Sequence, residues 1–188
     1  MQLVAWAEDL ARERLRDVLP RRWAHARSVA DEARRIAPVL GEDGDLLVAA
    51  AALHDIGYAP DLARTGFHPL DGARFLGEQG ASERLCALVA HHSCAIREAQ
   101  LRGLAEQMES FEDEASPTRD ALWYCDMVTG PAGERVPISD RLAEIRQRYG
   151  PASLVGRFVS AASPELHGAA ERTLGLMAAA GVDQPRYG

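Results

Sequence analysis

The chain has 188 residues, nearly half of them apolar, and a net charge of −7. That size and composition suit one packed domain, and the acidic balance argues against broad nucleic-acid binding, which needs a positive surface to neutralise phosphates. All 21 basic residues are arginine, which excludes a P-loop lysine, a Schiff base and a lysine general base.

Three cysteines, Cys86, Cys94 and Cys125, occur without a CxxC pair. A disulfide framework is not expected, and a reducing cytoplasm is the expected setting. The N-terminus, MQLVAWAEDL, lacks the basic start of a signal peptide. The longest apolar run, Leu46–Leu53, is too short to cross a bilayer, so no membrane partner is expected.

Taken in order, nearly every segment carries helical periodicity. Residues 2–19 place Leu3, Trp6, Leu10 and Leu15 on one side, and Pro20 is expected to stop that helix. A second helix is predicted over about 22–37, closed by Pro38 and Gly41. Asp45 is the expected N-cap of a helix over about 46–56 that ends at Gly57. A loop rich in Gly and Pro follows, and Pro69 opens a short helix to Gly77. Ser82 is expected to cap a helix that runs to His91 and His92, and residues 95–108 read as helix. The acidic stretch ESFEDEASP reads as a lid or a surface loop. Pro117 opens a helix through Met127, TGPAGERVP is a loop, and helices are predicted near 140–148, 152–161 and 164–180. No strand is predicted. The expected fold is a single all-α domain, a bundle of about seven to nine helices.

Five of the six histidines fall between positions 25 and 92. His25 lies four, eight and eleven residues before Val29, Ala33 and Ile36, on the inward face of its helix. His54 continues the face of Leu47, Ala50 and Ala51, His92 that of Leu85 and Leu88, and Asp126 that of Leu122 and Trp123. Four polar side chains on four helices thus take core-facing positions. Each costs several kcal/mol if buried alone, whereas imidazole and carboxylate together are the usual ligands of Zn, Mn or Fe. Four independent hydrogen-bonded groups are the competing explanation.

The ordered set His25, His54–Asp55 and Asp126, with the local form LHDIG, resembles the HD superfamily of metal-dependent phosphohydrolases over about residues 20–130. The resemblance implies an HD-type bundle, and the C-terminal helical extension from about residue 131 lies outside it. The resemblance also implies a divalent metal centre, expected to be dinuclear (Fe, Mn, Zn, Ni or Co). His25, His54, Asp55 and Asp126 would hold one ion. Asp55 would bridge to a second held by His68 and His92, with His91 as a further ligand, a base beside it or a plain helix-end residue. The catalytic residues so implied are Asp55 and His91, and the reaction is attack of a metal-bound hydroxide on a small phosphate ester or anhydride, a nucleotide above all. Two metals about 3.5–4 Å apart serve that chemistry without a strong protein base. Arg22, Arg64, Arg97 and Arg135 are candidates for holding the phosphorylated substrate. The same ligand order also resembles di-iron oxygenases of the superfamily, which cleave C–C or C–P bonds with O₂. A metal-stabilised, non-catalytic helical sensor is a third reading. The C-terminal helices either wall the pocket or form a homodimer contact.

Overall fold

The apolar run at 46–53 becomes the centre of the fold. The structure, a computed structural model, describes residues 2–182. Its helices are α1 (Gln2–Leu15), α2 (Pro20–Ile36), α3 (Gly44–Leu53), α4 (His68–Glu78), α5 (Glu83–Ala90), α6 (Ala95–Arg102), α7 (Ala105–Met108), α8 (Pro117–Met127), α9 (Ile138–Tyr149) and α10 (Leu154–Ala179). Short 3₁₀ segments occur at Ala37–Asp43, Ile56–Tyr58 and His92–Cys94. An isolated bridge between Thr129 and Arg135 is the sole β-type pairing among the described residues.

The all-α expectation holds, with nine helices among the described residues longer than the single turn of α7. Side chains from Leu47 to Leu53 are all buried, and α3 packs against α1, α2, α5 and α8. Its four consecutive alanines, Ala49–Ala52, let those neighbours approach closely, while Leu47 and Leu53 each contribute about 1.5–3 kcal/mol on burial. A second apolar cluster joins α9 and α10 to α8 through Trp123, Met127, Leu142, Val159 and Leu166.

Several boundaries differ from the expected ones. Pro20 opens α2 instead of merely ending α1, because a first-turn proline gives up no hydrogen bond. Asp43, not Asp45, precedes α3. The helix expected over 95–108 breaks at Gly103, whose φ of 71° caps α6. The two helices expected around Pro164 form one 26-residue helix that runs through it. The acidic stretch is a surface loop tied down by Arg84–Glu114 and Arg119–Asp113 ion pairs.

Gly57 does not end α3, which stops at Leu53 with His54 as its C-cap. It is where the chain meets the start of α4. A Cβ there would overlap the carbonyl oxygen of His68 and the backbone nitrogen of Gly72. The glycine of LHDIG therefore sets how close the His68 end of α4 comes to the His54–Asp55 turn. Gly57→Ala should destabilise the protein by about 2 kcal/mol or more through overpacking against backbone, lowering Tm by roughly 4–8 °C. An unchanged thermal unfolding curve would refute this close approach.

Candidate metal centre

Each histidine of the cluster is delivered by a helix or a helix end. His25 sits in the second turn of α2, which places it on the face shared with Val29 and Ala33. His54 follows the last residue of α3, and Asp55, with φ −100° and ψ 7°, has already left the helix. His68 is the first residue of α4, and Pro69 fixes that start. His92 opens the 3₁₀ segment after α5, whose N-cap Ser82 accepts from Leu85 N as expected. Asp126 lies in the last turn of α8, which Ser116 caps.

The side chains converge. His25, His54 and Asp126 offer ligand atoms within 4.8 Å of one another, and so do Asp55, His68 and His92. The two triads adjoin: Asp55 Oδ2 lies 3.3 Å from His54 Nε2 and 3.8 Å from His25 Nε2, while Asp55 Oδ1 lies 3.3 Å from His68 Nε2. Asp126 Oδ1 lies 3.0 Å from His25 Nε2 and 3.8 Å from His54 Nε2. His68 Nε2 and His92 Nε2 are 3.1 Å apart. All these groups are buried except His68, which is partly exposed.

Backbone carbonyls decide which ring nitrogen faces the cluster. His25 Nδ1–H donates to Gly130 O at 2.9 Å, His54 Nδ1–H to Ala51 O at 2.7 Å and His92 Nδ1–H to Val89 O at 2.6 Å. A carbonyl can only accept, so these rings carry their proton on Nδ1 and aim Nε2 inward. Metal-ligating histidines are held in this way. His54 Nε2 is buried and, despite its closeness to Asp55, makes no aligned hydrogen bond. A buried imidazole nitrogen without a hydrogen-bond partner, beside two carboxylates, fits a divalent cation.

The electrostatics agree. Desolvation pushes the buried His54 down, yet Asp55 and Asp126 outweigh it and raise its pKa to about 9. Desolvation, with His68 and His54 adding to it, lowers His92 to about 3 and keeps it a neutral lone-pair donor. Burial alone would raise Asp55 and Asp126, but facing histidines, and Arg22 for Asp55, hold both carboxyls well below the usual range. Ser93 donates its hydroxyl to Asp126 Oδ2 from a backbone at φ 50°. That left-handed position is strained for a serine.

The centre lines a cleft of about 220 Å³ between the triads and the C-terminal helices. A wider groove of about 820 Å³, bordered by Val4, Arg34, Pro38 and Val48, holds no histidine. Of the arginines expected at the site, only Arg22 reaches the cleft, bonding Asp55 Oδ2 at 2.8 Å and covering the Tyr58 ring at 4.1 Å. Arg64 pairs with Glu78, Arg97 with Glu165 and Arg135 with Glu32, all outside it. Arg102, Arg141 and Arg148 line it instead. Their place follows from how α6 and α9 pack, which helical phase within one segment does not reveal. Tyr58, stacked on His68 at 3.8 Å, was likewise not singled out by spacing.

His91 stands apart. Its Nε2–H donates to Phe111 O at 2.8 Å, and it belongs to neither triad nor to the cleft lining. Of the roles open for His91, its position as C-cap of α5 matches the helix-end one, with the side chain bonded to the acidic loop.

The profile of the HD domain family matches residues 22–143. Ribonuclease Y of Rubrobacter xylanophilus is 34% identical over 99 residues, which are 53% of this chain but only 17% of that protein, so the chain spans a small part of that relative's length. No solved structure matches the chain. No helix among the described residues is long and apolar enough to cross a membrane.

A cation must displace the proton that the metal-free site holds on His54. At pH 7.5, below a pKa of about 9, metal uptake should release about one proton, and the release should vanish once pH passes about 10. By the same sign, a raised folded-state pKa stabilises the metal-free protein fully below about pH 6.5, and that contribution is lost as pH rises through about 9. Calorimetric titration with Mn²⁺ or Zn²⁺ in buffers of different ionisation enthalpy measures the release. Uptake without proton release at pH 7.5 would contradict the assignment.

Proposed function

We propose a reaction from one fact: this chain belongs to the HD domain family, a superfamily of metal-dependent phosphohydrolases. The reaction is hydrolysis of a phosphate ester or anhydride on a small molecule, with a nucleotide as the substrate class. The observation that carries it is the joining of two histidine–carboxylate triads at Asp55, in a cleft that also presents Arg22, Arg102, Arg141 and Arg148. The likeness to a protein named Ribonuclease Y supports a phosphoric ester bond as the target.

His25, His54 and Asp126 would hold one divalent ion, and Asp55, His68 and His92 a second. Bound there, the ions supply a Lewis acid that acidifies water and neutralises a phosphoryl oxygen. The chain's own residues do the positioning. Arg22 neutralises Asp55 and holds Tyr58 by a cation–π contact, and Tyr58 in turn keeps the His68 ring in place. Ser93 donates to Asp126 Oδ2 and so orients that carboxylate. The arginines offer forked donors to the non-reacting phosphate oxygens. Water adds across the P–O bond: its oxygen joins phosphorus, and the leaving oxygen departs with a proton.

Metal analysis with a screen of phosphomonoesters, phosphodiesters and nucleotides tests the reading. The expected result is two divalent ions per chain, turnover abolished by chelation, and loss of metal and of more than about 100-fold in rate in Asp55→Ala. A mixed-valent di-iron centre that consumes O₂ while no phosphoester turns over would overturn it, as would full activity in Asp55→Ala.

A further inference from the structure

The family match ends at residue 143, inside α9. The cleft does not end there. Its wall opposite the triads continues through Ile145, Arg148 and Tyr149 of α9 and Val155, Phe158 and Val159 of α10. Most of this surface is apolar, in a cleft whose other side is histidine, carboxylate and arginine. A phosphate alone has no use for it.

Two of the wall residues are aromatic. Tyr149 is 51% exposed, so the core does not require its ring. Phe158 packs partly against the second apolar cluster and shows the rest of itself to the cleft. Polar groups flank the apolar surface. The Nε of Arg141 is buried without a hydrogen-bond partner, although its terminal nitrogen bonds Glu144 at 2.7 Å. Glu98 and Arg102 lie on the cleft as well. A hydrocarbon tail would leave these groups unanswered, whereas a flat heteroaromatic ring meets both the apolar faces and the polar edge.

The wall is also fixed in place. Gly150 turns the chain at φ 78° after Tyr149. Ser153 caps α10, accepting from Gly156 N at 2.9 Å and donating to Gly150 O at 2.9 Å. A Cβ on Gly156 would overlap the Gly150 carbonyl. The α9–α10 hairpin is thus closed tightly at its tip, next to the two aromatic residues.

We infer that this hairpin is the subsite for the organic part of the substrate, and that this part is a nucleobase-like ring held against Tyr149 and Phe158. The inference rests on the reading above, in which the triads and arginines take the phosphate. It makes Tyr149 and Phe158 specificity-determining residues that touch neither the reacting bond nor the metal ligands.

The test compares metal-loaded wild type, Tyr149→Ala and Phe158→Leu on adenosine 5′-monophosphate and glycerol 3-phosphate. Phe158→Leu keeps apolar bulk in the cluster, and Tyr149 is exposed, so both variants should fold with wild-type metal content. Wild type should prefer the nucleotide in kcat/KM, and each variant should cut that preference about tenfold, chiefly through KM. Calorimetric binding of adenosine 5′-monophosphate should weaken by a similar factor. No preference in wild type, or an equal loss on both compounds, overturns the subsite while leaving the phosphohydrolase standing. Wild type that cleaves neither compound yet binds the nucleotide in a Phe158-dependent way overturns the hydrolase reading and supports the subsite.

Discussion

Asp55 and Asp126 are two carboxylates buried within reach of the same imidazoles, His25 and His54. Two like charges in a low-dielectric interior repel strongly, and each also loses its hydration. The fold surrounds them with compensation: four histidines, the Arg22 guanidinium and the Ser93 hydroxyl. The two histidine–carboxylate triads that result draw on α2, α3, α4 and α8, together with the turn after α5, and cations held by them would tie these elements together. The alanine-rich α3 serves this geometry, since small side chains let the other elements bring their ligands close to its end.

The ligands stand where the backbone can hold them. His54 directly follows α3 and His92 comes two residues after the end of α5, and each donates Nδ1–H to the carbonyl three residues back. A helix end leaves carbonyls without a continuing helical donor, and each bond uses one of them to fix a ring. His25 lies within a helix whose own carbonyls are engaged, and it borrows the carbonyl of Gly130 instead. That gives the 129–136 loop a structural duty. Val136 N donates to Val128 O and Gly130 N to Glu134 O, and the loop so closed presents the Gly130 carbonyl to α2.

How much of this could be read in advance depends on the range of the interaction. His25, His54, His92 and Asp126 were found by helical phase, because a polar residue on an apolar stripe is visible within one segment. Asp55 and His68 came from the family resemblance. The choice of His92 over its neighbour His91 also followed phase, while phase could not choose among the roles open for His91, because its partner, Phe111, lies twenty residues away in a loop without periodicity. The arginines failed for a related reason. Arg64, Arg97 and Arg135 are near ligands in sequence, but each is claimed by a glutamate that only the packed fold brings alongside. Gly57 shows a subtler limit: it was read as a helix stop, and its need for space arises from α4, a later segment.

The net charge of −7 and the four arginines of the cleft arise from the same packing. Most arginines on the surface are neutralised locally, as in Arg12–Asp9 and Arg84–Asp43, and such exposed pairs add little stability. Arg22, Arg102, Arg141 and Arg148 also have acidic partners, but they are gathered at one concavity with low-dielectric walls, where a field reaches further than on an open surface.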